Sequence, residues 1–376
     1  MTAAHRGDAL TGPARDLARE VLIHGPITRS ELGRRLGLSP ATLTRLSKPL
    51  LDEGLLVDAP ETIERSIGRP VRPLDVSVDS QRFIGVKLTA GEVFAVTTDL
   101  RANLGAECVI ELTGHEPVQV VADIVRATVE LGGMDGVTAI GVTVGGQVGR
   151  SRWVERAPFL GWKGVDLGGM LHAALGVPVV VENDVVALTA AEHWFGIAKG
   201  MENFAVLTIG AGVGYGLVIH DRPVVNSDTG LGLGGHFPLD PTGPLCAEGH
   251  RGCSTAMLSI PSMTASARVG LSRDVGYDEL LDLADAGDPV AAQVVGSAAR
   301  ALGRLIAASA NLAMVQTIVL SGEGVGLADR QLPRILEAVR ADRDPDAAPV
   351  RILVDRSGFT AWARGAAAVA IQASFV

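Results

Sequence analysis

The sequence predicts an α/β protein in two unequal parts: a short N-terminal unit of helices closed by a hairpin, then a duplicated, two-lobed α/β body. Three observations predict it. Helix-cap signals crowd residues 28–40, apolar hairpins start at Phe83 and again at Phe204, and each hairpin is followed by helix and strand signals in the same order. With 376 residues the chain has room for two or three domains, and 47% hydrophobic against 20% charged residues exclude disorder and coiled coil. Aromatics are only 4%, so Ala, Val, Leu and Ile must build the core. No apolar run approaches the roughly 18 residues needed to span a bilayer. The charged residues Arg6, Asp8, Arg15, Asp16, Arg19 and Glu20 leave no signal-peptide stretch at the start, and Cys108, Cys246 and Cys253 cannot make a disulfide framework. The expectation is a cytoplasmic protein with no membrane partner.

The net charge of −9 argues against a nucleic-acid partner until its distribution is read. Between Thr28 and Lys48 the cations Arg29, Arg34, Arg35, Arg45 and Lys48 face only Glu31, which is either a polyanion site or a solvated helix face. Local signals favour the first. Thr28 with Glu31 reads as a capping box for one short helix that Gly37 ends, and Ser39-Pro40 opens the next. In that second helix Leu43, Leu46 and Leu50 point inward, leaving Thr42, Arg45 and Lys48 outward, while Pro49 predicts a kink or break. A preceding helix over residues 14–23 supplies the third wall. After Gly54 come a strand and a Pro-limited edge strand, with Arg65, Arg69 and Arg72 at the tip. This is the pattern of a winged helix-turn-helix. It would bind a double-stranded DNA operator through Arg29, Ser39, Thr42, Thr44, Arg45 and Lys48, steadied by Arg65, Arg69 and Arg72, with Ser39 alternatively only a cap and Thr44 only packing.

In the body, residues 83–98 and 204–220 read as equivalent hairpins some 120 residues apart, each leading into α/β segments. A cleft between such halves suits a small ligand. The residues Glu182-Asn183-Asp184, the glycine run from Gly210 to Gly216, Gly235-His236 and the stretch from Cys246 to Cys253 stand in an order and spacing that resembles the ROK family (repressor, open reading frame, kinase). The resemblance runs from about residue 14 to the end. It implies an actin-like/hexokinase (ribonuclease H-like) body, and the fused winged helix places the chain beside the family's transcriptional regulators, which generally sense sugars or sugar derivatives. The implied division is residues 1–75 for DNA binding, 81–195 for the first lobe with residues 360–376 returning to it, and 196–355 for the second lobe, including a zinc loop at 236–253.

The resemblance also implies departures. Where kinases of the family carry Asp-x-Gly-Gly-Thr-Lys, this chain reads Lys87-Leu88-Thr89-Ala90-Gly91-Glu92, and Ala211 replaces a threonine in the second hairpin. Lys87 and Glu92 make the phosphate seat hostile, so neither ATP binding nor kinase activity is expected, and Asp184, the family's base, is vestigial or ligand-binding. Gly145, Asn183, Asp184 and His236 are the expected effector contacts, although Asn183-Asp184 equally suits a helix start. Leu233, Thr255 and Phe159 replace polar sugar contacts, which implies an effector less polar than a hexose or a degenerate site. Family members hold zinc with one His and three Cys. Here His236, Cys246 and Cys253 match and Glu248 replaces the middle Cys, with His250 as a substitute or with no metal at all. The expected function is a repressor acting as a homodimer or homotetramer. The alternatives are a sugar kinase with an accessory DNA-binding module and a ligand-independent DNA-binding regulator.

Overall fold

The computed structural model describes residues 12–63 and 70–375. Three helices open it: α1 (Pro13–His24), α2 (Arg29–Leu36) and α3 (Pro40–Asp52). Each start is fixed locally. Thr28 Oγ1 accepts from the Glu31 amide and Ser39 Oγ from the Thr42 amide, and Gly37 ends α2 in the left-handed region. Only half of the expected capping box forms, because the Glu31 carboxylate turns outward to Arg34 and Arg35. The break expected at Pro49 is absent: α3 continues to Asp52, and the Glu53 amide bonds the Pro49 carbonyl. Two antiparallel strand pairs follow, β1 (Leu56–Asp58) with β4 (Leu74–Val76), and between them β2 (Thr62–Ile63) with β3 (Pro70–Val71).

The body carries two five-stranded sheets of one design. The first is built from β5 (Arg82–Leu88), β6 (Glu92–Thr98), β7 (Leu104–Glu111), β8 (Val137–Val144) and, beyond a small sheet of β9 (Gln147–Gly149), β10 (Trp153–Ala157) and β11 (Trp162–Val165), β12 (Val179–Asn183). Its order is β12-β8-β5-β6-β7. Helices α4 (Pro117–Glu130) and α5 (Leu167–Leu175) connect these strands, and α6 (Asp184–Trp194) leads from β12 to the second sheet.

The second sheet uses β13 (Phe204–Ile209), β14 (Val213–Ile219), β15 (Arg222–Pro223), β16 (Thr317–Ser321) and β17 (Arg351–Val354), in the order β15-β14-β13-β16-β17. In both, a hairpin supplies the antiparallel half and a helix crossover the parallel half. Helices α7 (Ser254–Leu258), α8 (Ile260–Leu271), α9 (Tyr277–Asp285), α10 (Pro289–Ala313) and α11 (Gly326–Ala341) pack the second lobe, burying Leu207, Leu302, Ile306 and Leu320.

The last helix, α12 (Phe359–Phe375), lies across β5 and β8 of the first sheet. Its alanines and two strand glycines explain each other. A Cβ at Gly85 would stand 2.0 Å from the Ala363 carbonyl oxygen and one at Gly141 1.7 Å from that of Ala366, so helix and sheet backbones meet with no side chain between. The front unit shares a core with this lobe: Leu17, Leu22, Leu43, Leu56 and Leu74 join Phe83, Leu100, Ile371 and Phe375 in one apolar cluster. Arg101 fastens the same seam, donating to the Val21 and Leu22 carbonyls and pairing with Asp75.

Candidate functional site

On the front unit, α3 turns Thr44, Arg45 and Lys48 to solvent, with Thr42 half-buried beside them. The charge count overstates the free cations here. Arg29 is held by Asp58 at 2.8 Å and by the Arg72 carbonyl, Arg34 and Arg35 share Glu31, and Arg72 pairs with Glu61. Within the stretch from Thr28 to Lys48, this leaves Arg45 and Lys48 without a carboxylate partner. Ser39 is a cap and Thr44 Oγ1 donates to the Pro40 carbonyl, so both hydroxyls have local work. Arg65 and Arg69 lie outside the described residues.

Between the lobes opens a cavity of about 930 Å³, walled by both hairpin turns, the end of β8, the start of α6 and the start of α12. Asn183, which caps α6, accepts from the Val185 and Val186 amides at 3.0 and 3.1 Å and donates to the Gly146 carbonyl at 2.8 Å. Its capacity is therefore almost spent on the fold, the local reading left open by the sequence. Asp184 follows. One carboxylate oxygen accepts the Val185 amide; the other is ion-paired to Lys87, with side-chain exposures of only 8% for the lysine and 15% for the aspartate. The ammonium also lies 5.0 Å from the centroid of the Trp362 ring.

A second carboxylate enters from the other lobe. Glu323, between Gly322 and Gly324 after β16, lies so close to the second hairpin that a Cβ at Gly210 would stand 1.9 Å from its Oε2. Burial raises its carboxyl above the ordinary range, opposed first by its own backbone amide and then by the Lys87 charge and a hydrogen bond from Trp362. The acid facing a phosphate seat is thus Glu323, not Glu92, which pairs across the sheet with Glu111 and does not line the cavity. The sequence shows Glu323 only within a Gly322-Glu323-Gly324 turn where the resemblance places an adenosine contact, and gives Trp362 no part in the site. The one available signal was an acidic residue flanked by glycines directly after a strand.

Gly145 lines the cavity where Phe159 closes in, a Cβ there being 3.3 Å from the ring and 3.4 Å from Asp184 Oδ2. On the opposite wall His236 turns Nδ1 to two thiols, 3.8 Å from Cys246 Sγ and 3.7 Å from Cys253 Sγ, and Cys246 Sγ is 3.7 Å from His250 Nδ1. These separations match the edges of a zinc tetrahedron, about 3.6 Å for Zn–S near 2.3 Å and Zn–N near 2.0 Å. Glu248 stands 3.8 Å from His236 Nε2, and a hydrogen bond with Cys246 is the main influence holding its carboxyl below the ordinary range. The group brought together is His236, Cys246 and His250, with Cys253 Sγ also against His236 and the Glu248 carboxylate against Cys246. This donor chemistry fits zinc.

The model of the ROK family matches residues 84–373. This chain belongs to the ROK family. Its relatives include the DNA-binding transcriptional repressor Mlc of Escherichia coli, 26% identical over 337 residues (85% of this chain, 83% of Mlc). The DNA-binding transcriptional dual regulator NagC of the same organism is 25% identical over 342 residues (84% and 81%). Among solved structures, a ROK family transcriptional regulator described as a homolog of E. coli MLC superposes with a TM-score of 0.81 over 96% of both chains at 24% identity. The ROK hexokinase from Thermus thermophilus superposes at 0.64, 30% identical, over 77% of this chain and 98% of its own. The ROK sugar-kinase-like fold of the body is therefore established. No described helix is long and apolar enough to cross a membrane.

Proposed function

We propose that this ROK protein is a DNA-binding transcriptional repressor whose cleft senses a sugar or sugar derivative and which transfers no phosphate. The carrying observation is the exposed face of α3, where Arg45 and Lys48 stand unpaired beside a two-stranded hairpin, the arrangement of a winged helix-turn-helix. Thr42, Arg45 and Lys48 enter the major groove. Arg29 and Arg72, held by exposed carboxylates, can exchange them for phosphates at little cost. Arg65 and Arg69 extend the contact. The kinship with Mlc and NagC supports the same reading.

The DNA-binding domain spans residues 1–75, the first lobe 81–195 with residues 360–376, and the second 196–355. The chain works as a homodimer or homotetramer, because one winged helix binds a half-site weakly. Effector contacts come from Gly145, Asp184, His236 and the free Nδ2 hydrogen of Asn183. Zinc, held by His236, Cys246, His250 and Cys253, ties the loop that carries His236 to the cleft as a structural ion. Nucleotide is refused because the one lysine near its phosphates is already paired and Glu323 repels them.

Selection of binding sites from a random DNA library tests the proposal. The full chain enriches one palindromic or directly repeated motif, and Arg45→Ala with Lys48→Ala weakens that binding by about two orders of magnitude and flattens its salt dependence. A chain that enriches no motif contradicts it.

A further inference from the structure

The cleft's two ends have exchanged the polarity a phosphotransferase would want. At the phosphate end every charge is answered inside the protein: Lys87 pairs with Asp184, and Glu323 sits against Gly210 with Lys87 as its main counter-charge. Among the described residues no other cation lines that end to receive a phosphate or carboxylate, and the sum of the three groups is negative. Trp362, 6% exposed, lines the cavity with its indole N–H acting on the Glu323 carboxylate, whose pKa it helps to hold down. An anion at this end would meet Glu323, whereas a neutral hydroxyl or ether oxygen would not be repelled.

The other end is apolar and open. Phe159 is 55% exposed and Leu233 66% exposed, both on the cavity wall, joined by Tyr215, Leu231 and Val225. Large side chains rimming a cleft of about 930 Å³ form a surface that water covers poorly, and that volume far exceeds one hexose. Phe159 also leans on Gly145 beside Asp184, so the apolar wall reaches the polar residues without a gap.

We infer that the effector is a neutral, non-phosphorylated glycoside whose apolar aglycone lies between Phe159 and Leu233 while its sugar hydroxyls meet Asp184 and Asn183. This rests on the sensing role proposed above and names the ligand class for the same cleft.

Isothermal titration calorimetry on the full chain tests it with three probe sets: phenyl glycosides of common pentoses and hexoses, the parent sugars, and their phosphate monoesters. At least one phenyl glycoside binds tenfold or more tightly than its parent sugar, and no phosphate ester binds comparably. Phe159→Ala and Leu233→Ser, both at exposed positions that leave the melting temperature unchanged, remove that tenfold advantage. Tighter binding of a parent sugar or a phosphate ester overturns the aglycone assignment and leaves the sensing role standing, as does an advantage that survives both substitutions. Silence from all three sets overturns the assignment and the sensing role together.

Discussion

The two halves of the body share one strand order but have diverged at equivalent turns. In the second half the hairpin β13–β14 keeps its glycines, and what fills the space they leave is Glu323 from the neighbouring strand end. In the first half β5 itself has changed, and Lys87 reaches back to the residue that heads α6. Neither change disturbs the sheet, because each uses a side chain pointing into a cavity that packing does not need. On the function proposed above, a duplicated fold loses its phosphate chemistry through two charges of opposite sign, one per half, that meet over Trp362. The first half has also taken on a task the second lacks: the core of the front unit runs into it without a break.

The largest effect that sharpens this comparison comes from Lys87→Met. Removing one partner of a mostly buried pair leaves Asp184 uncompensated beside Glu323, and we expect a loss of about 3 kcal/mol in chemical denaturation. Adding Asp184→Leu recovers most of it, because two apolar groups need no counter-charge. A single variant as stable as wild type would mean the pair is not formed.

Next comes Glu192 on α6, 3% exposed, whose carboxyl burial pushes up to about 7 from 4.5, with Asp355 adding to the rise. Its folded pKa is raised, so its contribution is full below about 4.5 and is lost as pH rises to about 7. Glu192→Gln, which keeps an acceptor for the Ile197 amide, therefore stabilises the chain at pH 8 by up to roughly 3 kcal/mol and is neutral near pH 4. His24 at the front-unit seam runs the other way. Burial lowers it from 6.5 to about 4, so its contribution is complete above 6.5 and is lost as pH falls toward 4. Melting curves from pH 4 to 8 for both variants, Glu192→Gln and His24→Gln, separate the two slopes.

Smaller again is the effect at the metal loop. Purified without chelator, the chain carries about one zinc, and His250→Ala lowers that occupancy about tenfold while Glu248→Ala leaves it nearly unchanged. The reverse ranking would restore the glutamate as ligand. The smallest effect is Glu323→Gln, half-buried at a turn, within about 0.5 kcal/mol of wild type in stability.

Much of this was legible in residue patterns. Caps at Thr28 and Ser39, apolar strands with glycine turns, and the repeat of hairpin plus crossover are local signals, and the strand orders follow from them. The sites were less legible, because pairing between distant residues carries no local mark. Nothing near Lys87 says that it pairs with a residue 97 positions away, and a count of arginines around Glu31 does not say which are already held. Pro49 shows the same limit: a proline near the end of α3 forfeits one bond and is carried by Leu43 and Leu50 buried on either side of it.

The proposed function depends most on the absence of a nucleotide seat from this sugar-kinase-like fold. Titrating the full chain with the magnesium complex of a non-hydrolysable ATP analogue, with and without saturating sugar, tests this directly. The account predicts no binding heat up to about 1 mM. A dissociation constant well below that, with the phosphates protected between the two hairpins, would contradict it.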